Sequence, residues 1–173
     1  MDYGQLDELF DRLWPICRSI TGPGITESLL IIKEHIPFEI KEIPTGTQVF
    51  DWVVPQEWEL EKATLKTKDG ELILDTDISN IHVLNFSEPF YGVVSFDELD
   101  QHLYSDPNFP EAIPYVTSYY VPRWGLCISD KQRKQLRTDV SYIVDIKTKK
   151  FDGSLTYGDY LLKGETEETI LIT

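Results

Sequence analysis

An α+β fold is expected of this 173-residue chain, in three parts: N-terminal helices, an inserted β-rich module, and the first strands of an α/β sheet. Three observations predict it. Residues 5–17 carry Leu6, Leu9, Phe10, Leu13, Trp14 and Cys17 on one helical stripe with acids opposite. From residue 39 the chain changes to short β-branched and aromatic runs broken by prolines. Three apolar runs then close the sequence: YIVDIK (142–147), SLTYGDYLL (154–162) and TILIT (169–173). An apolar run bounded by polar residues is the mark of an interior strand covered on both faces, and parallel strands need crossovers of a dozen or more residues. No residues after 173 supply them, so the chain reads as the front part of a larger α/β protein.

In order along the chain, the first helix ends or kinks at Pro15, and a loop (SITGPG) with Gly22, Pro23 and Gly24 follows. Thr26 is the expected cap of a second helix running to about His35, with Pro37 just beyond. The β-rich runs are EIKEI, TQVFDW, ATLKT, ELILD and IHVLNF, and Asp69–Gly70 between two of them signals a hairpin. Prolines 44, 55, 89, 107, 110, 114 and 122 argue against long central strands. Ser95 with Glu98 predicts a short capped helix to about Tyr104, and Ser129 with Gln132 predicts another over KQRKQL. Strand-like pieces lie between, at 114–120 and 125–129. The resulting division is 1–38 for the helices, 39–129 for the inserted module and 130–173 for the start of the α/β sheet.

Thirty acidic residues against sixteen basic ones give a formal net charge of −14, which repels nucleic acid backbones and anionic membrane surfaces. The densest basic run, Lys131–Arg137, reads as a solvated helix face. No apolar run approaches the roughly 20 residues of a membrane span. The N-terminus is acidic where a signal peptide would be basic. Cys17 and Cys127 are far apart and have no metal-type spacing, which suits a reducing, cytoplasmic setting.

No complete catalytic set is visible. His35, His82 and His102 share no helical spacing and read as structural, and Cys127 within GLCIS reads as core rather than nucleophile. Asp75 and Asp77 share a strand face as a carboxylate pair would, and an exposed acidic turn explains them equally well. No phosphate-binding glycine loop is present. The segment PYVTSYYVPRWG (114–125) gathers Tyr115, Tyr119, Tyr120, Arg123 and Trp124. It is either a ligand-contacting loop or an aromatic core with Arg123 stacked at its edge.

Five stretches, LWPICRSITGPG (13–24), IPTGTQVFDWVVPQEW (43–58), HVLNFSEPF (82–90), PYVTSYYVPRWGLCIS (114–129) and DGSLTYGDYLLKGETEETILIT (152–173), resemble one family across nearly the whole chain. They are similar to bacterial zinc aminopeptidase-like proteins, often labelled as polysaccharide biosynthesis proteins with an aminopeptidase-like domain. The resemblance implies that the helices and the final strands belong to a catalytic α/β domain of zinc-exopeptidase type, with the β-rich stretch inserted. It implies a zinc-dependent hydrolase cleaving an amino-terminal or amino-acid-like amide, with a peptide or amino-acid-like small molecule as partner. The family's zinc-binding His-x-Cys-His-Pro run follows the strand matching TILIT, so zinc is the expected cofactor while no ligand for it lies in this chain. Thr173 would stand at the edge of that site. Tyr120, Arg123 and Trp124 are the residues expected to face substrate. The alternative is a non-catalytic module binding peptide or carbohydrate. The TILIT edge is also a candidate for pairing with another chain, by strand addition or as a homo-oligomer.

Overall fold

The computed structural model describes residues 3–166 and 168–172. It is a mixed α+β chain, with two helices ahead of a β-rich body that carries two further short helices within it. The first helix, α1 (Tyr3–Leu13), stops ahead of Pro15, as its sequence requires. It buries no residue: Leu6, Phe10 and Trp14 of its apolar stripe are 53%, 59% and 69% exposed. Its tie to the second helix, α2 (Pro23–Lys33), is a two-pronged ion pair from Arg12 to Glu34 at 2.7 and 2.8 Å.

The second helix starts three residues before the expected Thr26. Pro23 occupies its first turn, where the missing N–H costs nothing, and Gly22 at φ 117° takes the position ahead of it. Thr26 instead donates its hydroxyl to Thr156 at 3.1 Å.

Among the described residues ten strands follow: β1 (Glu39–Pro44), β2 (Gln48–Val49), β3 (Trp52–Val53), β4 (Glu57–Thr67), β5 (Leu72–Asp75), β6 (Phe90–Ser95), β7 (Leu103–Tyr104), β8 (Leu126–Cys127), β9 (Ser141–Phe151) and β10 (Ser154–Asp159). The main sheet has the order β5-β4-β9-β6, and every pairing in it is antiparallel. The YIVDIK run is therefore the middle of a long antiparallel strand, not the start of a parallel sheet. One face of β9 buries Tyr142, Val144 and Ile146 while the other stays partly open, the alternation of a half-covered sheet. The strand following it, β10, pairs with β1.

Long central strands do form. Both β4 and β9 run eleven residues, because no proline falls between Pro55 and Pro89 or after Pro122. Trp58 and Ala63 on β4 are both buried although five residues separate them, an odd spacing that two-residue alternation sends to opposite faces. A bulge between Leu60 and Lys62 absorbs the extra residue and returns both to the core.

The Asp69–Gly70 hairpin joins β4 to β5, with Gly70 at φ 97°. IHVLNF is not a strand: residues 80–82 form a single 3-10 turn, and Phe86 has φ 69°. The 114–120 stretch has only an isolated bridge, Asn85 to Thr117. Both capped helices occur, as α3 (Phe96–Asp100) and α4 (Asp130–Arg133), each shorter than expected. Ser129 and Gln132 form the reciprocal capping pair.

The core lies under the main sheet, where Trp58, Leu65, Leu74, Tyr142 and Val144 meet Phe86, Leu99, Leu126 and Ile128 from the irregular covering stretch. Each large side chain so buried is worth roughly 1.5–3 kcal/mol. Residues 168–172 form no strand, and Ile170, Leu171 and Ile172 are 88%, 82% and 89% exposed. A strand needs a neighbour for its N–H and C=O groups, and among the described residues this run joins no sheet. Likewise β10 ends at Asp159, leaving Leu161 and Leu162 exposed. Thr173 lies outside the described residues. No described helix is long and apolar enough to cross a membrane.

Candidate functional site

Tyr120, Arg123 and Trp124 share one turn-rich segment but have three different environments. Tyr120 is 76% exposed and meets only the edge of Tyr119, at 6.5 Å between ring centres. Arg123 donates from Nη2 to the Thr117 carbonyl at 3.3 Å, and its guanidinium lies 5.3 Å from the centre of the Tyr104 ring. Trp124 is half-buried and sandwiched, 4.2 Å from the Phe90 ring and 3.7 Å from the His102 ring. Trp124 thus packs as core, while Tyr120 and Arg123 face solvent. Of the two alternatives left open by the sequence, Trp124 packs as the core reading expects, and Arg123 lies against the Tyr104 ring.

His82 and His102 serve as ties. His82 is 4% exposed, and its Nδ1 is 2.9 Å from the Cys127 carbonyl; His102 Nδ1 is 3.1 Å from the Trp124 carbonyl. A carbonyl only accepts, so each ring nitrogen donates and its tautomer is fixed by a local backbone contact. His35 is exposed near the end of α2. Burial pushes the Cys127 thiol up to about 12 and the Cys17 thiol up to about 11, so neither is a nucleophilic thiolate near neutrality.

Asp75 and Asp77 share one partner. Lys62 lies between them, 2.5 Å from Asp75 and also paired with Asp77, and its hydrogen bond holds the Asp75 carboxyl below the usual range. Among the described residues no group of three or more His, Cys, Asp or Glu is placed to hold a metal ion. The donor set here does not fit a zinc centre, which needs about three protein ligands.

A cleft lies elsewhere. About 490 Å³ in volume, it opens between residues 14–18, which link the two helices, and residues 76–83, which follow β5; Tyr115 completes it. Polar ties hold its frame. Asn80 donates to the Pro15 carbonyl at 3.0 Å. Buried Asn85 donates to the Arg18 carbonyl at 2.8 Å and accepts from the Ser19 hydroxyl at 2.8 Å. Neither this cleft nor the shallower groove beside β6 includes Tyr120, Arg123 or Trp124. Sequence reasoning missed the cleft because its walls are an acidic turn and a proline loop far apart in the chain. Tyr115, in the aromatic segment, was the one pointer to it.

Residues 57–149 match the family described as Domain of unknown function (DUF2172), and the chain belongs to that family. It is also similar, at 43% identity over 170 residues, to a Clostridium acetobutylicum protein provisionally named as a polysaccharide biosynthesis protein with an aminopeptidase-like domain. That match takes in 98% of this chain and 39% of the relative. A crystal structure of a protein from the same organism, provisionally described as a peptidase, superposes with a TM-score of 0.85 at 42% identity, over 95% of this chain and 39% of that one. The chain spans about two fifths of the length of these relatives.

Proposed function

We infer that this chain is the non-catalytic, substrate-facing portion of an aminopeptidase-like hydrolase that cleaves an amino-terminal or amino-acid-like amide. The observation that carries this reading is the 43% identity running through 98% of the chain to a relative named for an aminopeptidase-like domain. The side chains support the non-catalytic part. His82 and His102 are committed to backbone carbonyls, burial keeps the thiols protonated, and Asp75 and Asp77 share an ion pair with Lys62. The zinc expected from the family resemblance would be held by residues other than those described, and the β-rich module would cover the site. Metal analysis tests this: the purified 173-residue chain is expected to contain no stoichiometric zinc, and tight zinc at one per chain would overturn the assignment.

Within the module, Arg123 and Tyr120 remain the side chains proposed to meet substrate, since both are exposed. Trp124 would support them through its ring sandwich. Arg123→Ala, made in the product of the complete reading frame, is expected to raise KM severalfold while leaving kcat and the melting temperature unchanged. An unaltered KM would remove Arg123 from that role.

A further inference from the structure

The cleft between residues 14–18 and 76–83 is walled by Trp14, Ile16, Ile78, Ile81 and Val83, and Arg18 and Asp77 supply its two charges. Its volume of about 490 Å³ falls in the range of small-molecule sites. Arg18 uses one guanidinium nitrogen, Nη1, on the Leu13 carbonyl, leaving the rest of a five-donor fork for a ligand. Asp77 meets Lys62 through Oδ2 alone, so Oδ1 is open as an acceptor. Charge around that end does not cancel: Asp75 and Asp77 against Lys62 leave one net negative charge, while Arg18 adds one positive charge from the other segment. A cleft with one net charge of each sign and apolar walls between fits a neutral zwitterion carrying apolar side chains.

We propose that this cleft binds the free ends of a short apolar peptide, the carboxylate on Arg18 and the ammonium on Asp77. Arginine suits a carboxylate because its planar fork makes two parallel hydrogen bonds. Asp77 receives an ammonium as a carboxylate with one uncommitted oxygen. Trp14, 69% exposed, and Ile78, 77% exposed, then lose water against the peptide's side chains. The cleft is rigid on the side that matters: the Asn80 and Asn85 hydrogen bonds fix the 14–18 segment against the β-rich body, so little ordering is needed on binding. The choice of a peptide over another zwitterion rests on the peptidase-like reading above; the charge and volume arguments do not.

The test is calorimetric titration of the 173-residue chain with leucyl-leucine, N-acetyl-leucyl-leucine and leucyl-leucinamide. The free dipeptide is expected to bind, and blocking either end is expected to weaken it about tenfold or more, the worth of one charge-assisted hydrogen bond. Arg18→Gln should bind the free acid and the amide equally. Asp77→Asn should bind the free and acetylated peptides equally; it lies on an exposed turn, so it keeps the test standing should Arg18→Gln perturb folding. No heat at millimolar dipeptide, or equal binding of all three peptides by the native chain, would overturn the proposal. Failure here with zinc-dependent hydrolysis by the complete gene product would sink the cleft alone. Binding here with no hydrolysis there would sink the peptidase reading and leave the cleft.

Discussion

Gly22 has φ 117°, a conformation that L side chains rarely adopt, and a Cβ built on it would lie 2.2 Å from the Trp58 carbonyl oxygen. The contact is with backbone, so no side-chain rotation relieves it. Its neighbour Thr21 is fully buried and donates to the Gln56 carbonyl at 2.8 Å. These two residues seat the loop between the helices on the start of β4. Gly22→Ala is therefore expected to cost at least about 2 kcal/mol, from backbone strain and overpacking together. Urea unfolding measures it; a loss below about 0.5 kcal/mol would show that the loop is not seated this way. The glycine was legible in the sequence as turn punctuation, but its close approach to Trp58 was not, because nothing local to TGPG names a partner 36 positions away.

Lys62, Asp75 and Asp77 join β4 to the turn that leaves β5, and this contact gives the chain an acid-sensitive element. The hydrogen bond from Lys62 lowers the Asp75 carboxyl below its ordinary 3.8. A carboxylate depressed in the folded state contributes stability that is complete above its unfolded value and lost as pH falls through the folded one. The stability of the native chain should then decline as pH drops below 3.8, and Asp75→Asn should flatten that part of the curve. Thermal melts from pH 5 to pH 2 decide it, and parallel curves for the two proteins would contradict the assignment. At this level the sequence told much. The Asp69–Gly70 hairpin and both serine caps are marked by residues whose chemistry acts over two to four positions. The bulge on β4 and the antiparallel direction of β9 are set by which strand lies alongside, and composition does not record that. The same gap misplaced IHVLNF: its alternation suits a strand, yet Asn85 turns inward to bind Arg18 and Ser19 and ends any regular ladder there.

Taken whole, the molecule is a half-covered antiparallel sheet with its core on one face and a helical pair tied on by the Ser19–Gly22 loop. Its uncovered apolar surfaces, the α1 stripe and residues 168–172, are the parts whose sequence patterns promised burial. Periodicity reports that a face is apolar; it does not say what covers it. The candidate site was legible only in part for a related reason. The aromatic segment stood out by composition, whereas the cleft is lined by Arg18 and Asp77 from segments with 58 positions between them. The role proposed for this DUF2172 chain is to serve an aminopeptidase-like hydrolase without performing the chemistry itself. Hydrolysis of leucine p-nitroanilide, compared between the 173-residue chain and the product of the complete reading frame containing it, tests that claim most directly. Chelator-sensitive release of p-nitroaniline is expected from the complete product and none from the 173-residue chain. Equal hydrolysis by both, or none by the complete product across aminoacyl substrates, would contradict it.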